Sequence, residues 1–92
     1  MEIPASWDPW KALINLRRHG VSFHEAQTAF RDPFAVVIDD EAHSLHESRS
    51  ILIGTSTRGR LLVVVHVDHG DTVRILSARR PASAERQAYE EA

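Results

Sequence analysis

His66, Glu47 and a set of arginines are the side chains of this 92-residue chain whose types could do chemistry. His66 has the right unperturbed pKa range for proton transfer near neutrality, and Glu47 is a second candidate proton acceptor. Arg60, Arg74 and Arg79 are candidate phosphate clamps, because a planar guanidinium fork meets phosphate oxygens through two parallel hydrogen bonds. Metal-free cleavage of a phosphodiester by a neighbouring hydroxyl needs this combination: a base for the hydroxyl proton, cations for the charge that builds around phosphorus, and an acid for the departing oxygen. Lys11, His19, Arg49, Arg58 and Arg80 extend the set as candidate phosphate-binding groups of a nucleic-acid ligand, with Lys11 and His19 able to form the opposite wall of a groove. Tyr89 is the aromatic that could stack on a base.

Each of these has an ordinary alternative. A histidine that ends an apolar strand is often a satisfied core residue. Glu47, two residues from Arg49, would commonly be half of a solvated ion pair worth about 0 to 1 kcal/mol. Tyr89 could merely pack the last helix. His43 and His46 lie three apart near Asp39, Asp40 and Glu41, but a loop with Leu45 between the histidines lacks the rigid three- or four-ligand spacing of zinc sites. No metal and no cofactor are therefore expected. The four glycines fall at expected turns and form no phosphate loop, and no serine nucleophile elbow is present.

Composition narrows the setting. A chain of 92 residues makes one small domain, residues 1–92, burying only about 60 to 65% of its unfolded surface, so a partner covering part of it would add noticeably to stability. There is no cysteine, which fits a reducing compartment and excludes thiolate chemistry. No apolar run approaches a membrane span, and Met1-Glu2-Ile3-Pro4 does not open a signal sequence, so a cytoplasmic protein is expected. Net charge is -2, yet its distribution is uneven. Residues 32–48 carry Asp32, Asp39, Asp40, Glu41 and Glu47 without a Lys or Arg, whereas residues 49–80 carry six arginines against Asp68 and Asp71. Ten of the eleven basic residues are arginine, a bias that favours a recognition surface over mere solubility.

The elements that must position these groups are well punctuated. Asp8 is a helix cap, Pro9 suits the first helical position, and Gly20 suits the left-handed turn after the end, which predicts a helix from Pro9 to His19. On it Lys11, Asn15, Arg18 and His19 form a polar stripe, and Trp10, Leu13 and Ile14 lie elsewhere. Ser22 and Glu25 read as a capping box with Val21 as staple, starting a second helix to about Phe30. Strands follow at Phe34–Ile38, Arg49–Ser56, Arg60–Val67 and Thr72–Arg79, then a helix from Ala84 to about Glu91. The run Leu61 to Val65 is continuously apolar, so its strand is expected to be central with both faces covered. Alternation puts Arg60, Val64 and His66 on one face of it, and strand register decides whether Arg74 or Arg79 joins them. Trp7, Trp10, Phe23, Phe30 and Phe34 are expected in the core.

The block Trp7-Asp8-Pro9-Trp10-Lys11, Asn15, Arg18 and His19-Gly20-Val21-Ser22-Phe23 resembles the opening motif of the BrnT family, the toxin half of bacterial type II toxin–antitoxin pairs. The likeness continues through His43-Ser44, Glu47-Ser48-Arg49, Ile51 to Ser56, Arg58 to His66, Arg74 to Arg79, Glu85-Arg86 and Tyr89-Glu90-Glu91. It implies an α+β domain of two N-terminal helices, an antiparallel meander and a C-terminal helix, similar to RelE-type ribonuclease toxins whose open sheet face receives RNA. It further implies an endoribonuclease that inhibits translation, a BrnA-like antitoxin in a hetero-oligomer, and contact with operator DNA only through that complex. The rival expectation is a non-catalytic module whose arginine surface binds an acidic protein or nucleic acid. Burial separates the two, because a His66 sunk among Leu62 and Val64 favours binding over catalysis.

Overall fold

The computed structural model describes residues 3–40 and 47–92. A short strand β1 (Ala5–Ser6) precedes helix α1 (Pro9–His19) and helix α2 (Phe23–Thr28), which ends in a single 3-10 turn at Ala29–Arg31. Strands β2 (Val36–Asp39), β3 (Arg49–Thr55), β4 (Leu61–His69) and β5 (Thr72–Arg79) follow, then helix α3 (Ser83–Glu90). The sheet order is β1-β5-β4-β3-β2; β2 to β5 form the expected antiparallel meander, and β1 adds a parallel edge beside β5 that a two-residue segment does not announce.

Local signals account for the helix ends. Asp8 accepts a hydrogen bond from the Trp10 N–H at 2.9 Å, and Gly20 closes α1 at φ 68° with its N–H on the Leu16 carbonyl. Ser22 caps α2 by accepting from the Glu25 N–H at 3.0 Å. Only this half of the expected capping box forms, because the Glu25 side chain turns inward to Arg60 and Ser56.

Two apolar layers enclose β4. On one side Leu62 and Val64 pack with Leu52, Ile75 and Ala78 beneath Val21, Phe23, Ala26 and Ala29 of the α1–α2 region. On the other, Ile53, Leu61 and Val63 meet Ala88 and Tyr89 of α3. Full burial of a side chain such as Phe23 stabilises the fold by about 1.5 to 3 kcal/mol. Two aromatics expected in this core lie outside it: Trp10 is 65% exposed and Phe34 75% exposed. Gly54 lies inside β3, as the expected strand Arg49–Ser56 has it and not at a turn like the other three glycines, and a Cβ there would come within 2.9 Å of the Ala29 carbonyl oxygen.

Register divides the charged residues between the faces. Val65 pairs with Ser77 and His66 with Ile75, leaving Leu76 as the extra residue of a bulge. Arg74, Ser77 and Arg79 therefore share the face of Val63, Val65 and Val67, and the helix-covered face receives Ile75 and Ala78.

Candidate functional site

Asn15 does most to position the site. It is the one buried residue of α1; its side-chain N–H groups donate to the Val21 carbonyl at 3.0 Å and the Ala78 carbonyl at 2.8 Å, and its oxygen accepts from the Ala78 N–H at 3.1 Å. Far from belonging to a solvated polar stripe, it bolts α1 to β5. That contact turns Lys11 and Arg18 toward the margin of the sheet left open by α3.

A shallow trough results. One stretch is lined by Lys11, Ile14, Arg18 and His19 with Leu76 and Ser77, and the adjoining stretch by Lys11, Asp40, Arg49 and Val65 with the same Leu76 and Ser77. The bulge at Leu76 supplies the shared floor. Arg49 of β3, Val67 of β4 and Arg74 of β5 form one row across the sheet, with Val67 buried between the two arginines, whose backbones stand about 10 Å apart. Glu47 is exposed just before β3. The structure thus sets Lys11 between His19 in one depression and Arg49 in the next, with Arg74 on the same sheet face as Ser77 and Glu47 just before the Arg49 strand.

Other candidates are placed elsewhere: His66 lies beneath the helices, and Arg60 is held at their margin. His66 is 2% exposed, edge-on to Phe30 at 4.9 Å between ring centroids, with Nδ1 3.4 Å from the Val64 carbonyl. Burial pushes its pKa down, against smaller upward effects of that carbonyl and of Asp68, so the neutral ring is favoured. Covered in this way it does not reach substrate, and the expectation that it moves protons for RNA fails on access. Arg60 is not a phosphate clamp either: its guanidinium grips the buried Glu25 carboxylate through two nitrogens and donates to the Gly20 carbonyl at 3.2 Å. Ser56 Oγ adds a bond to Glu25 at 2.8 Å, and the carboxyl stays below its usual range, chiefly through Arg60. This network ties the α1–α2 turn to the β3–β4 hairpin.

Arg79 shares the open face, but its fork is filled by Glu85 of α3 at 2.6 and 2.7 Å, which holds the Glu85 carboxyl low. Tyr89 donates its hydroxyl to Asp32 at 2.6 Å and accepts from Thr55 at 3.3 Å, so it fastens α3 to the sheet. Burial raises the Asp32 carboxyl, while the bonds from Tyr89, Thr55 and Phe34 outweigh that and leave it lowered. Arg80 and Tyr89 line a separate depression with Gly59 and Arg86, at the hairpin end of the sheet away from the trough, and exposed Arg58 stands 3.5 Å from Glu25. His43, His46 and Glu41 of the weighed metal cluster lie outside the described residues. Among the described residues no group of three or more His, Asp or Glu could hold a metal ion, and no helix is long and apolar enough to cross a membrane.

The sequence placed Arg18 on the polar stripe without assigning it to a site, and Ser77 was given no role. The available signal was Asn15, a poor helix former in mid-helix whose side chain needed partners.

Residues 7–85 match the family described as ribonuclease toxin, BrnT, of type II toxin-antitoxin system. The chain belongs to the BrnT family. A crystal structure of the Brucella abortus ribonuclease toxin BrnT superposes with a TM-score of 0.67 at 20% sequence identity, covering 88% of this chain and 99% of that one. At that identity the likeness establishes the BrnT fold alone, an α+β arrangement of three helices and a five-stranded sheet. No protein of curated function matches the chain. The BrnT family is one of ribonuclease toxins, and its type II character implies an antitoxin as partner.

Proposed function

We propose that this BrnT-family chain is a metal-independent endoribonuclease that inhibits translation, binding RNA along the trough between α1 and the open sheet face in a RelE-like manner. The observation that carries the reading is a pair of depressions sharing Lys11, Leu76 and Ser77, one adding Arg18 and His19 and the other Asp40 and Arg49, with Arg74 borne on the same sheet face as Ser77. Lys11, Arg49 and Arg74 bind the phosphates and stabilise the charge that develops during cleavage. Ser77 offers a hydroxyl to a phosphate oxygen. Glu47 and His19 are the exposed or half-exposed groups of the right type to move the 2′-hydroxyl proton and to protonate the leaving 5′-oxygen. A BrnA-like antitoxin neutralises the toxin in a hetero-oligomer, and the complex alone meets operator DNA.

The test is cleavage of labelled RNA by antitoxin-free protein in the presence of a chelator, alongside a Lys11→Ala, Arg74→Ala variant. Cleavage by the wild type, reduced about a hundredfold or more in the variant, supports the reading, since losing each charge stabiliser costs about 3 kcal/mol. Cleavage that the chelator abolishes overturns metal independence. The burial of His66 favours a second reading, a module that binds RNA through the trough without cutting it. Salt-sensitive RNA binding without turnover by folded protein would select it.

A further inference from the structure

We infer that the outward face of α1 docks an amphipathic helix with acidic flanks on a protein partner; resting on the function proposed above, that partner is the antitoxin. Among the described residues of α1, Ala12 packs against the core and Asn15 is the buried one. The helix therefore presents Trp10, Leu13, Ile14 and Leu16 to solvent at 65%, 38%, 41% and 45% exposure. A small soluble domain has few apolar residues to leave uncovered, and four on three turns of one helix form a stripe that matches a partner helix. Beside the stripe Leu13 and Leu16 continue into a depression lined by Trp7, Phe23 and His24, a socket for a side chain of that partner.

Charge selects the occupant. Lys11 and Arg18 border the apolar stripe, Arg17 continues it at its C-terminal end, and no Asp or Glu occurs from Pro9 to Gly20, although the whole chain is net negative. The complement is an apolar ridge edged with carboxylates. RNA is the weaker fit, because Leu13, Ile14 and Leu16 give no plane for base stacking and Trp10 stands as the single aromatic among them. Ile14 belongs both to this stripe and to the wall of the RNA trough, so a helix seated on α1 overhangs the trough. Docking there neutralises the toxin by covering its site.

The probe is a synthetic peptide of about 18 residues, long enough to span α1, with leucines at helical spacing flanked by glutamates, together with an isomer carrying lysine at each glutamate position. Titration into the full chain, followed by amide NMR shifts and RNA cleavage, should show binding mapped to residues 10–17 and inhibition by the acidic peptide. The lysine isomer and a Leu13→Lys, Leu16→Lys variant should each weaken binding about tenfold or more, with the circular dichroism and melting of the variant unchanged and its RNA cleavage retained. Equal binding of both peptides, or unchanged binding to a folded variant, overturns the inference. A variant that instead loses RNA affinity assigns the face to RNA and overturns it too. Cleavage without peptide docking removes this inference alone, whereas docking without any RNA cleavage leaves the surface standing and removes the catalytic reading.

Discussion

At the scale of single residues, the side chains that shape this BrnT-family toxin are those whose partners are far away in sequence. Asn15 carries three hydrogen bonds in a buried setting. Asn15→Ala would leave the Ala78 N–H and two carbonyls short of partners, a cost of about 3 kcal/mol readable as a lower urea midpoint with unchanged slope. RNA cleavage should fall as well, because α1 carries Lys11 and Arg18. His66 gives a pH signature. Its pKa is lowered by burial in the fold, so the unfolded chain binds the extra proton first, and stability is level above about pH 6.5 and declines as pH falls below that value. Melting temperature measured from about pH 8 down to pH 5 should show this decline, and His66→Leu should remove most of it without abolishing RNA cleavage. Had His66 been the base for the reaction, the same substitution would stop turnover. The histidine, glutamates and arginines were legible in the sequence as reactive types; their occupancy was not, since Glu25 and Glu85 claim Arg60 and Arg79 from positions 35 and 6 residues away.

At the scale of elements, capping chemistry was local and therefore legible: Asp8, Gly20 and Ser22 act within a few residues of themselves. The bulge at Leu76 was not, because it arises between two strands and exchanges the face of everything on one side of it. Without that extra residue Arg74 and Ser77 would lie on opposite faces of β5. Gly54 shows the same dependence on a distant neighbour. Gly54→Ala would set a methyl group against the Ala29 carbonyl and should destabilise the protein by about 1 to 3 kcal/mol in thermal or chemical unfolding, although alanine is no worse a strand residue than glycine. Helix α3 buries no residue and is fastened by Arg79–Glu85 and Tyr89–Asp32. A Glu85→Gln, Tyr89→Phe variant should therefore show faster hydrogen exchange confined to α3, with β4 amides still protected.

At the scale of the whole molecule, the negative total charge conceals a basic trough on one face, and binding to a polyanion should report the trough rather than the total. For single-stranded RNA, each phosphate contact removed should lessen the salt slope of log affinity by about 0.7, so Lys11→Ala with Arg74→Ala should reduce it by about 1.4 in fluorescence anisotropy titrations. Variants at Arg60 or Arg58 should leave that slope unchanged, because both face Glu25. The amino-acid sequence by itself determined the α+β order, the helix ends, the central apolar strand and membership of a ribonuclease toxin family, since propensity, capping and hydrophobic period act over a few residues. Tertiary structure alone decided which arginines Glu25 and Glu85 hold, which histidine is buried and which face of α1 is left uncovered. Those outcomes depend on strand register and on contacts between residues far apart in the chain, and no local pattern encodes either.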